Sequence, residues 1–149
     1  MAESSETAYV TELTFSQNFE SYAAESSQNT VVEIGEQAFY QNTSLQRVFF
    51  PDTVEIIGDS AFNGCTSLTS VDFKGDVESI GRLAFGECPI EKIEFKASLK
   101  SIGDAAFTSL KVKELVLPEG IEIGDSCFEK SAVERVVQNG NNKCKIVTL

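Results

Sequence analysis

The chain has 149 residues, an apolar content of 42% and a formal net charge of −11, and it contains no histidine. That length predicts a single domain, and the apolar content is sufficient for a continuous core. Because a strongly acidic chain repels phosphate groups, neither nucleic acid nor an anionic membrane surface is the expected partner. The absence of histidine removes the commonest general base and the commonest transition-metal ligand.

Residues 1–30 are predicted to form an N-terminal cap with an irregular first coil. Val10, Leu13 and Phe15 have the spacing of a half-buried strand. Apolar residues at helical spacing follow, and a short amphipathic helix here would cover the open end of a stack of repeats. The first ten residues lack the basic and apolar regions of a secretory signal. No apolar run approaches the length of a membrane span, so no transmembrane segment is predicted.

Residues 31–138 repeat one phrase, which consists of isoleucine, glycine, two variable residues, a small residue and phenylalanine. Its copies define coils 1 to 5, which begin at Ile34, Ile57, Ile80, Ile102 and Ile123. The period falls from 23 residues at the start to 21 at the end. A period in the twenties is typical of a solenoid, in which each coil is too small to bury its own apolar face and is buried by its neighbours.

Each residue of the phrase has a predicted structural task. The glycine allows either a positive φ or a close approach of the next coil, and the small residue fits coils about 4.8 Å apart. A brief helical or 3-10 turn is predicted next. The phenylalanines should then form one column through the stack, made of Phe39, Phe62, Phe85, Phe107 and Phe128.

An apolar triplet recurs between copies of the phrase, and its last two residues alternate with exposed types, as in a half-buried strand. The triplets are Leu45-Val48-Phe50, Leu68-Val71-Phe73, Ile90-Ile93-Phe95 and Val112-Leu115-Leu117. The alternation places two columns of side chains on the outer face of the stacked strands, which we call the sheet face and predict as the binding surface. The columns are Arg47, Ser70, Lys92 and Glu114, and beside them Phe49, Asp72, Glu94 and Val116.

Phe49 is the most informative residue of the predicted sheet face. Aromatic side chains and arginines are enriched at binding hot spots, and Arg47 lies two residues away on the same face. Packing of the Phe49 ring against the N-terminal cap is the alternative interpretation.

Residues 139–149 are predicted to form a C-terminal capping strand, because a polar turn precedes the alternating segment 144–149. Such a strand would seal the last coil. The alternative is that it leaves a free edge, which could pair with another chain.

Cysteines and acidic residues are the remaining candidates for chemistry. Cys65, Cys88, Cys127 and Cys144 lack the spacing of a zinc site, so no metal is predicted. Cys65 and Cys88 occupy equivalent positions on adjacent coils and are interpreted as small buried side chains; a disulfide between them in an oxidising compartment is the alternative. The residue after each repeat glycine is acidic except at Arg82, and this column is interpreted as helix-start residues rather than a calcium site.

The start of coil 2, Ile-Gly-Asp-Ser-Ala-Phe-Asn-Gly-Cys-Thr-Ser-Leu, resembles the BspA-like class of leucine-rich repeats. The resemblance covers roughly residues 31–138, although only Cys65 and Cys88 keep the cysteine of the repeat. It implies a leucine-rich-repeat solenoid, a right-handed coil of short strands with about five to six coils and a cap at each end. Members of this class occur in bacterial surface proteins and in parasitic protists, and several are described as adhesins that bind host or matrix proteins.

The resemblance and the missing catalytic groups predict a non-catalytic protein-binding module, with adhesion or recognition of another protein as its function. No cofactor, nucleic acid or small-molecule substrate is expected, and a monomer is favoured over a homo-oligomer. An intracellular scaffold or adaptor for a cytosolic protein is one alternative, and a self-assembling structural protein is another. The resemblance places the chain at the cell surface or among secreted proteins, whereas Met1 as the native start would place it in the cytoplasm.

Overall fold

The computed structural model describes residues 12–14, 32–73 and 75–138. Its regular structure consists of short strands, and no helix occurs in these residues. The strands are β1 (Glu12–Thr14), β2 (Glu33–Ile34), β3 (Arg47–Phe50), β4 (Ile56–Ile57), β5 (Ser70–Phe73), β6 (Ser79–Ile80), β7 (Ser101–Ile102), β8 (Glu114–Leu117), β9 (Glu122–Ile123) and β10 (Arg135–Gln138). Within the described ranges, no helix is therefore long and apolar enough to cross a membrane.

The strands stack as a solenoid requires. Every strand pair is parallel and joins one coil to the next. The two-residue strands form one continuous sheet in the order β2-β4-β6-β7-β9. The longer strands form two further sheets, β1-β3-β5 and β8-β10. This arrangement confirms the predicted solenoid of short strands.

The turn after each repeat glycine is a run of tight turns and not the predicted helical or 3-10 turn. In every coil the second residue after the glycine is a non-glycine residue with a left-handed backbone, with φ of 55–57°: Gln37, Ser60, Leu83, Ala105 and Ser126. The N–H of Phe62 donates to the C=O of Ala84 in the next coil at 2.7 Å, and the N–H of Phe85 donates to the C=O of Ala106 at 2.9 Å. Hydrogen bonds to the next coil thus alternate with turn bonds within a coil, such as the one from the N–H of Ala61 to the C=O of Gly58 at 3.2 Å.

The repeat glycines allow adjacent coils to approach closely, which is one of the two roles predicted for them. A Cβ atom on Gly58 would lie 2.8 Å from the carbonyl oxygen of Ile34, and one on Gly103 would lie 2.5 Å from the backbone nitrogen of Arg82. Both distances are shorter than real Cβ contacts. A side chain at either glycine would therefore push two coils apart.

The predicted phenylalanine column forms the centre of the core. Successive ring centroids lie 5.2, 5.2, 5.3 and 6.0 Å apart, and each pair is stacked, in the order Phe39, Phe62, Phe85, Phe107 and Phe128. All of these rings except Phe39 are fully buried. The small residue before the ring is buried in coils 2 to 4, as expected for closely spaced coils.

The prediction of a strand in coil 3 that continues to Phe95 is wrong beyond Lys92. Residues 93–95 do not join a strand, and coil 3 contributes only an isolated bridge between Lys92 and Ser70. Ile93 and Phe95, which were predicted as core residues, are only half-buried. The predicted continuous sheet of long strands is consequently divided into two.

A second column of aromatic rings is interrupted at the same coil. Phe50 and Phe73 stack with centroids 5.3 Å apart. Phe95 holds the equivalent position in coil 3, but its only ring contact among the described residues is an edge contact with Phe107 at 5.5 Å. A small cavity of about 10 Å³ is lined by Phe73 and Phe95. This side of coil 3 is thus displaced from coil 2.

The residue that follows the strand provides a physical reason for the displacement. Gly75 of coil 2 lies so close to coil 1 that a Cβ atom there would collide with the carbonyl group of Asp52. The bridge between Ser70 and Lys92 makes Ala97 the equivalent residue of coil 3. If coil 3 followed the same path, the methyl group of Ala97 would collide with the backbone of Gly75, so the coil lies further out.

Parts of the predicted caps lie outside the described residues, namely the helix after Phe15, the strand at 139–149 and Cys144. The structure does describe the backbone of β1. It pairs with β3 so that Glu12 is next to Arg47 and Thr14 is next to Phe49.

Candidate functional site

The N-terminal part of the sheet face lies on β3 and β5, where the observed register agrees with the predicted columns. Arg47 pairs with Ser70, and Phe49 pairs with Asp72. The side chains of Arg47 and Asp72 are exposed, whereas Ser70 and Phe49 are half-buried. Phe49 is therefore less accessible than the alternation predicts. The alternative interpretation, a contact of the Phe49 ring with the N-terminal cap, involves side chains outside the described residues.

The C-terminal part of the sheet face lies on β8 and β10. Glu114 pairs with Arg135, and the Arg135 Nε lies 3.2 Å from a carboxylate oxygen of Glu114. Val116 pairs with Val137 and is 44% exposed, a large fraction for a valine on a strand. This end of the face therefore combines an ion pair with an accessible apolar side chain.

Lys92 and Glu94 lie between these two parts, at the interruption in coil 3, and both are exposed. An open groove of about 600 Å³ separates this segment from coil 4. We call it the coil 3–4 groove, and it is lined by Glu91, Lys92, Ile93, Glu94, Lys111, Val112, Lys113 and Glu114. A second depression of about 270 Å³ lies on the coil 2 side, between 70–73 and 92–94. The sheet face is therefore not flat.

The sequence analysis did not identify Glu91, Lys111 and Lys113 as residues of this surface. A continuous strand would have left no groove for them to line. One signal was available in the sequence: Ala97 of coil 3 stands where coil 2 has Gly75.

The opposite surface of the coils is formed by the five-stranded sheet and differs from the sheet face. Its ladder is unbroken from β2 to β9. Val32 and Ile56 are exposed there, at 43% and 39%. An exposed pair between Lys100 and Glu78, with 3.0 Å between nitrogen and oxygen, contributes little to stability at such exposure. Exposed apolar residues alone thus do not distinguish the two surfaces.

The cysteines at the repeat position are buried core residues, as interpreted from the sequence. The Sγ of Cys65 donates to the C=O of Phe39 at 3.2 Å, and the Sγ of Cys88 donates to the C=O of Phe62 at 3.0 Å. Burial raises the pKa of the Cys88 thiol, because the thiolate would be removed from water. Ser131 replaces cysteine in coil 5 and bonds in the same way, since its Oγ donates to the C=O of Phe107 at 2.8 Å.

The acidic column next to the repeat glycines joins coils to each other. The Oδ1 of Asp59 accepts a hydrogen bond from the N–H of Arg82, and the Oδ1 of Asp104 accepts one from the N–H of Asp125, each at 2.8 Å. No helix begins here, so the predicted helix-start role is wrong. Across the described ranges, no three histidine, cysteine or acidic side chains come together as a potential metal site.

The parallel stack of 21- to 23-residue coils around a phenylalanine column defines a leucine-rich-repeat solenoid. A family model for the BspA-type leucine-rich repeat region matches residues 32–146 in six copies. The chain therefore belongs to the BspA-type leucine-rich repeat family, as its resemblance predicted. Repeats of this kind are generally protein-interaction modules and are typically non-catalytic.

Two solved structures of bacterial leucine-rich repeat proteins are similar to this chain. The protein from T. pallidum (TpLRR) has a TM-score of 0.71 and 32% identity, over 85% of this chain and 59% of that one. A protein from Bacteroides ovatus has a TM-score of 0.66 and 35% identity, over 72% of this chain and 29% of that one. The chain thus spans less than two thirds of either protein. None of the curated proteins compared with the sequence matches it.

Proposed function

We propose that the chain is a non-catalytic module for adhesion or recognition, which binds another protein through the sheet face. The residues that carry this function are Arg47, Phe49, Ser70, Asp72, Lys92, Glu94, Glu114 and Val116. The main support is that these residues share one face. The observed register aligns the two columns in coils 1 to 3, and again in coils 4 and 5. Family membership adds that such repeats are generally protein-interaction modules.

The composition of this surface also supports a protein partner. Exposed Val116 and half-buried Phe49 supply apolar contact area, while Arg47 and Asp72 supply charges of both signs. Interfaces between proteins combine such apolar anchors with a polar rim. Because the chain as a whole is acidic, we expect the partner to be basic, and we expect added salt to slow association.

The experiment compares two triple variants in binding to a captured partner. Protein captured by the immobilised chain from extracts of the source cells, or from serum and matrix preparations, is identified and purified. Its dissociation constant is then measured for wild type and for the sheet-face variant Arg47→Ala, Asp72→Ala and Val116→Ser. The control carries Ile56→Ser, Glu78→Ala and Lys100→Ala on the opposite surface, so that both triple variants leave the net charge unchanged.

The sheet-face variant should bind about tenfold or more weakly, which corresponds to about 1.4 kcal/mol, and the control should bind like wild type. Equal binding by the sheet-face variant, or a loss confined to the control, would assign the interaction to a different surface. Circular dichroism and a melting curve for each variant establish that the fold is retained.

A further inference from the structure

The backbone of coil 3 leaves hydrogen-bonding groups unused on the sheet face. The N–H of Lys92 donates to the C=O of Thr69, and the N–H of Val71 donates to the C=O of Lys92. After this point the ladder stops. Ile93, Glu94 and Phe95 form no backbone hydrogen bond to any described residue. Unpaired N–H and C=O groups in a row are a template for another strand.

The coil 3–4 groove makes these groups accessible. Its two walls are the segments 91–94 and 111–114, and it is open to solvent. The wall from coil 4 is also an unpaired edge of β8, because among the described residues β8 forms a ladder only with β10. A strand placed in the groove would therefore find backbone partners on both sides.

The groove is a fixed local feature of the stack. On the opposite surface the same two coils remain joined, with Ser79 next to Ser101 and Ile80 next to Ile102. Below the groove, Ile90 and Val112 are buried and belong to the core. The N–H of Lys111 also donates to the C=O of Ile90 at 2.7 Å, so the two coils remain joined at that end of the groove.

The charges that line the groove indicate what kind of segment fits. Glu114 pairs with Arg135. Lys111 and Lys113 on one wall form no ion pair with a described residue. The same holds for Glu91, Lys92 and Glu94 on the other wall, where the charges of Glu91 and Lys92 offset each other. A segment with an acidic side chain near the two lysines and a basic side chain near Glu94 would complement these charges.

We infer that the coil 3–4 groove binds an extended segment of a protein partner by strand addition. The segment carries an acidic residue that faces Lys111 and Lys113, and a basic residue that faces Glu94. Backbone hydrogen bonds to Ile93, to Phe95 and to β8 supply affinity, because the backbone groups of Lys92 point to coil 2 and alternate residues point to opposite sides. The two charged residues supply selectivity. This inference rests on the proposed function, because it names the part of the partner that the sheet face recognises.

The test uses a fluorescein-labelled, terminally blocked octapeptide of alternating threonine and valine, in which aspartate replaces the second residue and lysine replaces the sixth. Binding to the full chain is followed by fluorescence anisotropy. Two further peptides carry N-methyl groups on one or the other alternate set of residues, which removes the donors from one edge of the strand. Strand addition requires that at least one N-methylated peptide bind about tenfold more weakly.

Two protein variants test the location. Lys111→Glu combined with Lys113→Glu should weaken binding about tenfold. Arg82→Glu combined with Lys130→Glu makes the same change in net charge on exposed turns away from the groove and should leave binding unchanged. Equal effects of the two pairs would show that only the overall charge of the chain matters, and would overturn the inference.

Two other results would also overturn it: no binding of the octapeptide at about 1 mM, or binding of both N-methylated peptides as tight as that of the unmodified octapeptide. In either case, the proposed function would still stand if the whole partner protein bound the sheet-face variant more weakly than wild type. The two proposals can therefore fail separately.

Discussion

The Asp59 carboxylate accepts a hydrogen bond from the backbone N–H of Arg82, at 2.8 Å, and so joins coil 2 to coil 3. The Asp59→Ala variant lacks the carboxylate, so the N–H of Arg82 loses its hydrogen-bond partner in the protein. Because the site is exposed and water can replace the carboxylate, we expect a loss of about 1 kcal/mol in the free energy of unfolding.

Asp125→Ala is the matched control for this prediction, since the Asp125 carboxylate bonds to no described residue. Urea titration of both variants measures the difference. A loss as large in the control would show that the bond between coils is not the cause. A gain in melting temperature on addition of calcium, present in wild type and absent in Asp59→Ala, would restore the calcium interpretation of the acidic column.

Phe85→Ala should destabilise the chain by about 3–5 kcal/mol, because it opens a cavity in the middle of the ring column. Phe85 stacks on Phe62 at 5.2 Å and on Phe107 at 5.3 Å. Phe95→Ala is the control, and its loss should be only about 1–2 kcal/mol because that ring is half-buried and adjoins an existing cavity. Equal losses measured by denaturant unfolding would mean that the two rings are equally well packed.

Ala97→Gly should allow coil 3 to move against coil 2. The added backbone freedom costs about 0.5–1 kcal/mol, and each recovered ladder bond offsets about as much. The stability should therefore change little, while amide exchange at Glu94 becomes slower, because the bridge between Ser70 and Lys92 places the N–H of Glu94 opposite the C=O of Val71. Ala132→Gly, at another exposed position, should destabilise without slowing exchange at coil 3. If exchange there is the same in both variants, the methyl group of Ala97 does not hold the coil outward.

The buried thiols should not react with Ellman's reagent while the chain is folded. Cys65, Cys88 and Cys127 are at most 3% exposed, and the raised pKa of Cys88 keeps that thiol protonated. Mass spectrometry after labelling should find these positions modified only in denaturant. Rapid labelling of Cys65 or Cys88 in buffer would contradict their placement in the core. A Cys65–Cys88 disulfide in protein isolated from its native source would favour the alternative interpretation.

Most of the fold follows from spacing in the sequence. The period of isoleucine and glycine predicts the stack, and the spacing of the apolar triplets predicts the register that brings Arg47 next to Ser70 and Phe49 next to Asp72. These predictions succeed because each depends on a local pattern that every coil repeats. The helical turn was predicted wrongly, since the same short phrase can bond within its coil or to the next one.

The groove could not be predicted from the pattern of apolar residues. Ile90, Ile93 and Phe95 have the same spacing as the triplets that form strands. Their departure from the ladder is explained by Ala97, two residues beyond the triplet, whose methyl group would collide with Gly75 if coil 3 followed the path of coil 2. The steric limit at Gly75 becomes visible only when adjacent coils are placed on each other. A rule based on one coil at a time therefore misses it.

Amide hydrogen exchange of the unmodified chain, resolved by residue, tests the opening in coil 3 most directly. The amide of Val71, which bonds to Lys92, should be protected like those of the strands. The amides of Ile93, Glu94 and Phe95 should exchange much faster, although they lie between protected coils. Protection of these three amides equal to that of Val71 would mean that the ladder is closed and that the coil 3–4 groove does not exist.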